Sequence, residues 1–327
     1  MPDLSVIIAA SRPEALLRCL SSLEEQGLGE MMEVLVALSP GLHQPTPPEG
    51  LCVHFVNARS RHPSAMRNEA AALATSPLLA FLDDDAAPFP GWGRAILNLA
   101  APEKREILAG PNRDERRELC YRLAQAVEEN RFFEGLSSHG TPKKEAVSIS
   151  IHDAPLCNLI VPRALFWELK GFNHHLPYYF DDVDFNHRAK KKEVRLMRHA
   201  SLAVQHDLRP LILPYLAHKF RTRYMIGRHF KTVYHLYRDS LSVKLVHLSW
   251  ALFPLTGILM ALSHSFSIGI VFLYGMAAFI SFGSSWRDPA IFFWGPPVLF
   301  GAQVASWSGY TLGRLLGMKQ GRSRHSA

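Results

Sequence analysis

The chain contains 327 residues, of which 48% are hydrophobic and 20% are charged, and its formal net charge is +7. This composition is that of a globular protein, and the length accommodates one large domain or two of ordinary size. The four cysteines are widely spaced without a C-x-x-C pair. We therefore expect reduced, mostly buried thiols rather than a disulfide framework or a zinc site.

The positive charge indicates an anionic partner. Many of the cations lie in residues 190–198 and 219–231, and the second cluster shortly precedes a long apolar region. This placement favours membrane lipids over nucleic acid, for which no binding module is recognised. A solvated basic face is the alternative for either cluster. The N-terminus has no recognisable signal peptide, so we expect the N-terminal part to be cytoplasmic.

The first part of the chain alternates short apolar runs with helical patterns. Apolar runs predict strands at residues 4–10, 34–38, 52–56, 78–82 and 157–161. Helical patterns predict helices from Pro13, over residues 64–74, 113–129 and 163–169, and at 185–191. The alternation predicts an α/β fold, with a mostly parallel sheet covered by helices and ligands bound beyond the carboxyl ends of its strands.

Charged residues nearly vanish between Lys244 and Arg314. Apolar segments at residues 243–263, 266–282 and 290–308 each approach the about 20 residues that a transmembrane helix needs. A buried helical core is the alternative. Gly295-Pro296-Pro297 interrupts the third segment, so two or three C-terminal transmembrane helices are predicted. The expected organisation is a catalytic domain over 1–228, a basic juxtamembrane segment over 229–242, a membrane region over 243–317 and a basic tail over 318–327.

Three adjacent carboxylates follow the predicted strand at 78–82, namely Asp83, Asp84 and Asp85. Such a cluster is electrostatically costly without a cation, and its hard oxygen ligands suit Mg²⁺ or Mn²⁺ bound together with a substrate phosphate. Because side chains alternate along a strand, Asp83 and Asp85 should point in a similar direction. An acidic turn that caps the next helix is the alternative.

A second acidic cluster spans Asp181-Asp182-Val183-Asp184. If a helix begins at Asp181, then Asp181, Asp184 and Arg188 share one face, and Asp182 is free to act on a ligand. A carboxylate in that position can accept the proton of an attacking hydroxyl. Ordinary acidity at a helix start would explain one or two of these residues.

Two further candidates stand near the acidic clusters in the predicted fold. His206 follows a predicted strand and is either a structural residue or a metal ligand. Arg67 and Asn68 lie on the helix before the first acidic cluster, where a cationic side chain can meet a diphosphate or pair with carboxylates.

In this order, the segments resemble the family 2 glycosyltransferases with a GT-A fold, and the resemblance covers about residues 4–228. It rests on Leu4-Ser5-Val6-Ile7-Ile8, Met66-Arg67-Asn68-Glu69-Ala70, Phe81-Leu82-Asp83-Asp84-Asp85, Gly171-Phe172-Asn173 and Asp181-Asp182-Val183-Asp184-Phe185. The resemblance implies a metal-binding pair in Asp83 and Asp85, a catalytic base in Asp182 and a third metal ligand in His206. It also implies a donor-binding set of Arg12, Arg67, Asn68, Asp83, Asp84 and Asp181.

The sequence departs from the family pattern after the second strand, where many members carry an aspartate that reads the nucleotide base and this chain has Ser39. The identity of the base is therefore not predicted. The Gln-x-x-Arg-Trp motif of processive synthases is also absent near residues 219–228, which favours single additions.

The resemblance implies an inverting, metal-dependent transfer of a sugar from a nucleotide-diphosphate donor to a lipid-linked or glycan acceptor. The enzyme would be membrane-anchored, with its catalytic domain in the cytoplasm. The alternatives are an inactive nucleotide-sugar-binding partner of another membrane enzyme and a transport or scaffold component.

Overall fold

The structure is a computed structural model that describes residues 2–114, 116–128, 145–176, 180–206, 213–237 and 289–323. The chain divides into two compact units, residues 1–115 with 138–207 and residues 116–137 with 208–327. The predicted catalytic domain extended to residue 228, whereas residues 208–228 belong to the second unit. The first two predicted membrane segments lie outside the described residues.

The first unit contains an eight-stranded sheet. Numbered in chain order, its strands are β1 (Leu4–Ala10), β2 (Met32–Leu38), β3 (Cys52–Asn57), β4 (Leu78–Asp83), β6 (Glu106–Ala109), β8 (Ala146–Ser148), β9 (Asn158–Pro162) and β10 (Arg195–His199). Their order is β3-β2-β1-β4-β9-β6-β10-β8. Strands β8 and β9 are antiparallel to their neighbours, and the remaining pairs are parallel. The predicted mostly parallel α/β sheet is confirmed.

Helices cover both faces of this sheet. They are α1 (Pro13–Glu24), α2 (Pro63–Ala71), α3 (Trp92–Leu99), α5 (Arg163–Glu168) and α6 (Asp181–Lys191). In β1, Val6 and Ile8 belong to the core that contains the apolar residues of α1 and α3. Ile7 belongs to the opposite core, with the apolar residues of α2, α5 and α6. Burial on both faces explains why the sequence of β1 is continuously apolar.

A separate three-stranded sheet combines β5 (Ala86–Pro88), β7 (Asn112–Arg113) and β11 (Val204–His206). Strand β11 is antiparallel to β5, and His206 lies opposite Ala86, the residue that follows the first acidic cluster. The carbonyl oxygen of Leu202, shortly before β11, accepts a hydrogen bond from Asn158 Nδ2 at 2.6 Å. This small sheet fixes His206 beside the end of β4.

Described helices of the second unit are α4 (Leu119–Glu128), α7 (Leu213–Arg228), α8 (Phe230–Tyr237) and α9 (Pro289–Ser323). Helix α4 begins later than predicted because Asn112 and Arg113 form β7, which pairs with β11. Helix α9 packs along α7 through glycines four residues apart. A Cβ added at Gly309, Gly313 or Gly317 would collide with the backbone oxygen of Phe220, Tyr224 or Arg228, respectively.

Helix α9 is 35 residues long and continues through Gly295-Pro296-Pro297. The predicted interruption at this point is wrong, because each proline removes one helical hydrogen bond without ending the helix here. Among the residues that the structure describes, no helix combines the length and the apolar character that a membrane span requires. The predicted transmembrane helices therefore stay a prediction, as does the basic tail, which α9 enters as far as Ser323.

We expect Gly313→Ala to lower the thermal unfolding midpoint, because the added Cβ would overlap the carbonyl oxygen of Tyr224. Overpacking of this kind typically costs about 1–3 kcal/mol. The matched control is Gly301→Ala in the same helix, where a Cβ would meet only the Leu216 side chain at 3.7 Å. Circular dichroism of the purified chains measures both, and an equal effect of the two substitutions would contradict this close approach.

Candidate functional site

The first acidic cluster ends β4, and its carboxylates alternate in direction as predicted. Asp83 and Asp85 both face His206, whose Nε2 atom lies 3.7 Å from Asp83 Oδ2 and 3.3 Å from Asp85 Oδ1. The register of β11 with β5 is responsible, since it places His206 opposite the residue after Asp85. The structure thus brings the three predicted metal ligands together.

Asp84 points away from His206 and binds the loop after β1. It is 2% exposed, and its Oδ2 atom accepts hydrogen bonds from the backbone N–H groups of Ser11 at 2.8 Å and Arg12 at 2.9 Å. Its Oδ1 atom accepts from Arg12 Nε at 3.1 Å. Asp84 therefore positions the loop that carries Arg12, and its predicted contact with a donor stays a prediction.

Arg12 lies between the acidic cluster and solvent. Its side chain is 55% exposed, and its Nη1 atom is 2.8 Å from Asp85 Oδ2. Burial alone would raise the pKa of Asp85, but His206 and Arg12 lower it well below the usual range. The pKa of Asp83 is also lowered, because His206 and Arg67 outweigh burial. Both carboxylates are therefore ionised at neutral pH.

Arg67 joins the two acidic clusters. Its side chain is 8% exposed and lies on α2, with Nη2 at 2.5 Å from Asp83 Oδ1 and Nη1 at 3.4 Å from Asp181 Oδ2. Asp181 also accepts a hydrogen bond from Ser64 Oγ at 2.9 Å. A buried guanidinium needs anionic partners to offset its desolvation. Arg67 therefore holds the end of β4 next to the start of α6.

Asn68 anchors the segment that leads into the second cluster. Its Nδ2 atom donates to the Phe172 carbonyl at 2.8 Å, and its Oδ1 atom accepts from the Phe172 N–H at 3.0 Å. Gly171 has a φ of 61°, and a Cβ there would lie 2.8 Å from Asn68 Oδ1. Both polar atoms of the Asn68 amide are thus engaged by the backbone, and its predicted donor contact stays a prediction.

Four phenylalanines, Phe81, Phe166, Phe172 and Phe185, pack together behind the carboxylates. Centroids of neighbouring rings in this cluster lie between 4.8 and 5.6 Å apart. Phe81 belongs to β4 and Phe185 to α6, so the cluster joins the two elements that carry the acidic residues. Aromatic packing thus supports the contact that Arg67 makes between these elements.

Asp182 lies in the first turn of α6 and is half-buried. Burial raises the pKa of Asp182 to about 7, and repulsion from Asp181 adds to this effect. A carboxylate with a pKa near neutrality is suited to accept a proton. Asp184, on another side of the helix, is paired with Arg188 at 2.8 Å as the helical spacing predicted.

A cavity of about 430 Å³ opens at the carboxyl ends of β1 and β2. Its lining consists of Ala9, Ser11, Ser39, Arg61, His62, Pro63 and Met66. It is adjacent in the chain to Arg12 and includes Ser39, the position where the resemblance expects an aspartate. Arg61 and His62 were not among the predicted site residues, because they stand outside the recognised motif, just before the start of α2.

Cys157, which is buried, was also not among the predicted site residues. Within the described chain, ligand atoms of Asp83, Cys157 and His206 all lie within 4.8 Å of one another. Strand β9 runs antiparallel to β4 with Asn158 opposite Leu82, so the next position along this register places Cys157 beside Asp83. In the sequence, Cys157 stands at the start of an apolar run that predicts a strand. The direction of that strand, which brings Cys157 to Asp83, could not be predicted from the run.

These residues fit a divalent cation. The Oδ1 atom of Asp85 is buried and makes no regular hydrogen bond, and the His206 ring lies beside it at an ion-pair distance of 3.3 Å. A buried carboxylate oxygen of this kind is stabilised when a cation offsets its charge. Burial alone would lower the pKa of His206, but Cys157, Asp83 and Asp85 raise it well above its usual value. The carboxylates thus attract positive charge to the point where a cation would lie.

Among solved structures, the chain is similar to the mannosyltransferase PcManGT from Pyrobaculum calidifontis in complex with GDP-Man and Mn²⁺. The TM-score is 0.55, with 17% sequence identity over 93% of this chain and 87% of that chain. The chain therefore has a GT-A-like fold.

Crystal structures of S. aureus TarS 1–349 have lower TM-scores. The score is 0.46 for TarS 1–349 and 0.47 for its complex with UDP, each at 15% identity over 98% of this chain and 92% of that chain. No protein-family model and no curated protein matches the sequence. The similarity is therefore one of fold, and the activity has to be argued from the site itself.

We expect Asp182→Asn to stabilise the protein more at about pH 8 than at about pH 4. Between its ordinary value of 3.8 and its raised pKa of about 7, folded Asp182 keeps a proton that the unfolded chain has released. The free energy of unfolding therefore falls as the pH rises through this window. Because asparagine does not ionise, the Asp182→Asn variant does not lose this part of its free energy of unfolding as the pH rises. Thermal unfolding at both pH values measures the difference, and an equal effect at both would contradict the raised pKa.

Proposed function

We propose that the chain is an inverting glycosyltransferase of family 2 that transfers a sugar from a nucleoside diphosphate donor. The observation that carries this proposal is the convergence of the two acidic clusters around Arg67, which contacts both Asp83 and Asp181. Asp182, the proposed proton acceptor, is the residue after Asp181. The GT-A-like fold supports the proposal, and so does the cavity at the carboxyl ends of β1 and β2, where ligands of such sheets bind.

A divalent cation held by Asp83, Asp85 and His206 would neutralise charge on the diphosphate that leaves the sugar. The exposed guanidinium of Arg12, which Asp84 and Asp85 hold in place, binds and orients the donor beside the cavity. The cavity receives the nucleoside. Its lining has Ser39 at the position where many family members carry an aspartate that recognises the nucleotide base. Other groups must therefore select the base in this chain.

Asp182 acts as the general base. It accepts the proton of the acceptor hydroxyl while that oxygen forms a bond to the anomeric carbon and the bond to the diphosphate oxygen breaks. A single displacement on the face opposite the leaving group inverts the configuration of that carbon, by the logic that applies to inverting glycosidases. The pKa near 7 suits this role, since the carboxylate form is available at physiological pH.

The test is a panel of nucleoside-diphosphate sugars, incubated with the purified chain, Mn²⁺ or Mg²⁺, and either a polyprenyl-phosphate-linked acceptor or a soluble glycan. We expect diphosphate release and a single added sugar of inverted configuration, and loss of both with a chelator. Preference for the polyprenyl-linked acceptor would support a lipid substrate. Donor binding without any transfer would overturn the proposal in favour of an inactive nucleotide-sugar-binding protein.

With the preferred donor, Asp182→Asn should reduce turnover by about 10²- to 10⁴-fold, the usual contribution of general base catalysis. Donor affinity should change little, because the cation ligands and Arg12 are unaltered. The control is Glu168→Gln, which removes a surface carboxylate paired with Arg105 and Lys192. Turnover of the Asp182→Asn enzyme within a few-fold of the parent would exclude the assigned role.

We also propose that the enzyme is membrane-anchored, with its catalytic unit in the cytoplasm. The apolar segments at 243–263 and 266–282 and the basic residues at 219–231 support this assignment. We expect the full chain to stay in the membrane fraction after an alkaline wash, and deletion of residues 243–282 to release it. Complete release of the full chain by the wash would argue against an anchor.

A further inference from the structure

The thiol of Cys157 adds a third kind of donor atom, sulfur, to a site otherwise built from carboxylates and an imidazole. Its position follows from backbone register, because Asn158 lies opposite Leu82 in the β4–β9 pair. His206 is fixed independently, opposite Ala86 in the small sheet. Two separate pairings therefore direct Cys157 and His206 to the same carboxylate, that of Asp83.

The distances fit coordination of one ion. The ligand atoms of Asp83, Cys157 and His206 all lie within 4.8 Å of one another. In tetrahedral coordination with metal bonds of about 2.0 to 2.3 Å, the ligand atoms of one ion lie about 3.3 to 3.8 Å apart, within about 1 Å of the separation here. Small side-chain movements therefore bring all three atoms onto a common centre. The side chains of Asp83 and His206 are 31% and 23% exposed, which leaves a path for entry.

The sulfur also has a polar neighbour of a kind found beside metal ligands. Asn112 Nδ2 donates a hydrogen bond to Cys157 Sγ at 2.9 Å, and N–H donors of this kind orient ligands and tune them for a metal. Asp85 supplies a buried oxygen that makes no regular hydrogen bond and lies 3.3 Å from Nε2 of the same histidine. A thiol that served only to fill the core would need neither of these polar neighbours.

We infer that Cys157, Asp83 and His206 form a mixed sulfur, nitrogen and oxygen site that binds a borderline-soft divalent cation of the Zn²⁺ or Co²⁺ class. Soft thiolate ligands favour Zn²⁺ over Mg²⁺, which prefers oxygen in octahedral geometry. On binding, the sulfur forms a bond to the cation and the thiol proton passes to solvent. This inference rests on the proposed function for the use of the site, but not for the binding itself.

The test titrates the metal-free full chain with Co²⁺ and records the sulfur-to-cobalt charge-transfer absorption. We expect this band in the parent and in Cys52→Ser, the control at an exposed cysteine, and its loss in Cys157→Ser. Loss of an outer-shell partner typically lowers metal affinity by about 10- to 100-fold. Because Cys157 would bind the ion directly, Cys157→Ser should lower the affinity for Zn²⁺ by more than this, and the affinity for Mn²⁺ should change little. A band that persists in Cys157→Ser would overturn the inference.

A second measurement needs no variant, in case Cys157→Ser does not fold. Zinc-edge X-ray absorption of the Zn²⁺-loaded parent should show a sulfur neighbour at about 2.3 Å. A shell of nitrogen and oxygen alone would refute the role of Cys157, even if the chain transfers sugar with Mn²⁺. Conversely, a sulfur signal in a chain that transfers no sugar would support this site and refute only the proposed function.

Discussion

One buried guanidinium lies between carboxylates that come from distant parts of the chain. Arg67 on α2 contacts Asp83 at the end of β4 and Asp181 at the start of α6. Without this positive charge, the two half-buried carboxylates would repel each other at short range. Arg67 also acts on Asp182, where its charge partly offsets the effect of burial on the pKa. The same side chain therefore joins the two acidic clusters and lowers the pKa of Asp182, the proposed proton acceptor.

The carboxylates of the site differ in how fully hydrogen bonds and positive charges offset their burial. Asp84 is fully engaged by the loop of Arg12, and Asp83 shares Arg67 with Asp181. Asp85 keeps one buried oxygen that makes no regular hydrogen bond and faces His206 at 3.3 Å, and Asp182 has a raised pKa. The two least satisfied carboxylates are thus those with proposed chemical roles, one toward a cation and one toward a proton. Incomplete compensation at a reactive site is a common cost of function.

Much of this site was predictable because local rules determine it. Alternation along β4 separates Asp84 from its neighbours, and helical spacing pairs Asp184 with Arg188. The roles that were missed depend on long-range pairing. Asn68 binds a backbone segment about one hundred residues away, and Cys157 reaches the site only because β9 is antiparallel to β4. An apolar strand has the same sequence pattern in either direction, so its orientation was not readable.

The glycines of α9 have a mechanical consequence for the second unit. Because Gly309, Gly313 and Gly317 face successive carbonyls of α7, a slide by one or two residues would press a side chain into the backbone of α7. Sliding by four residues, about 6 Å along the axis, would return a glycine to most of these positions. The packing therefore disfavours sliding of α9 along α7 by less than about one helical turn, unless the two helices first separate.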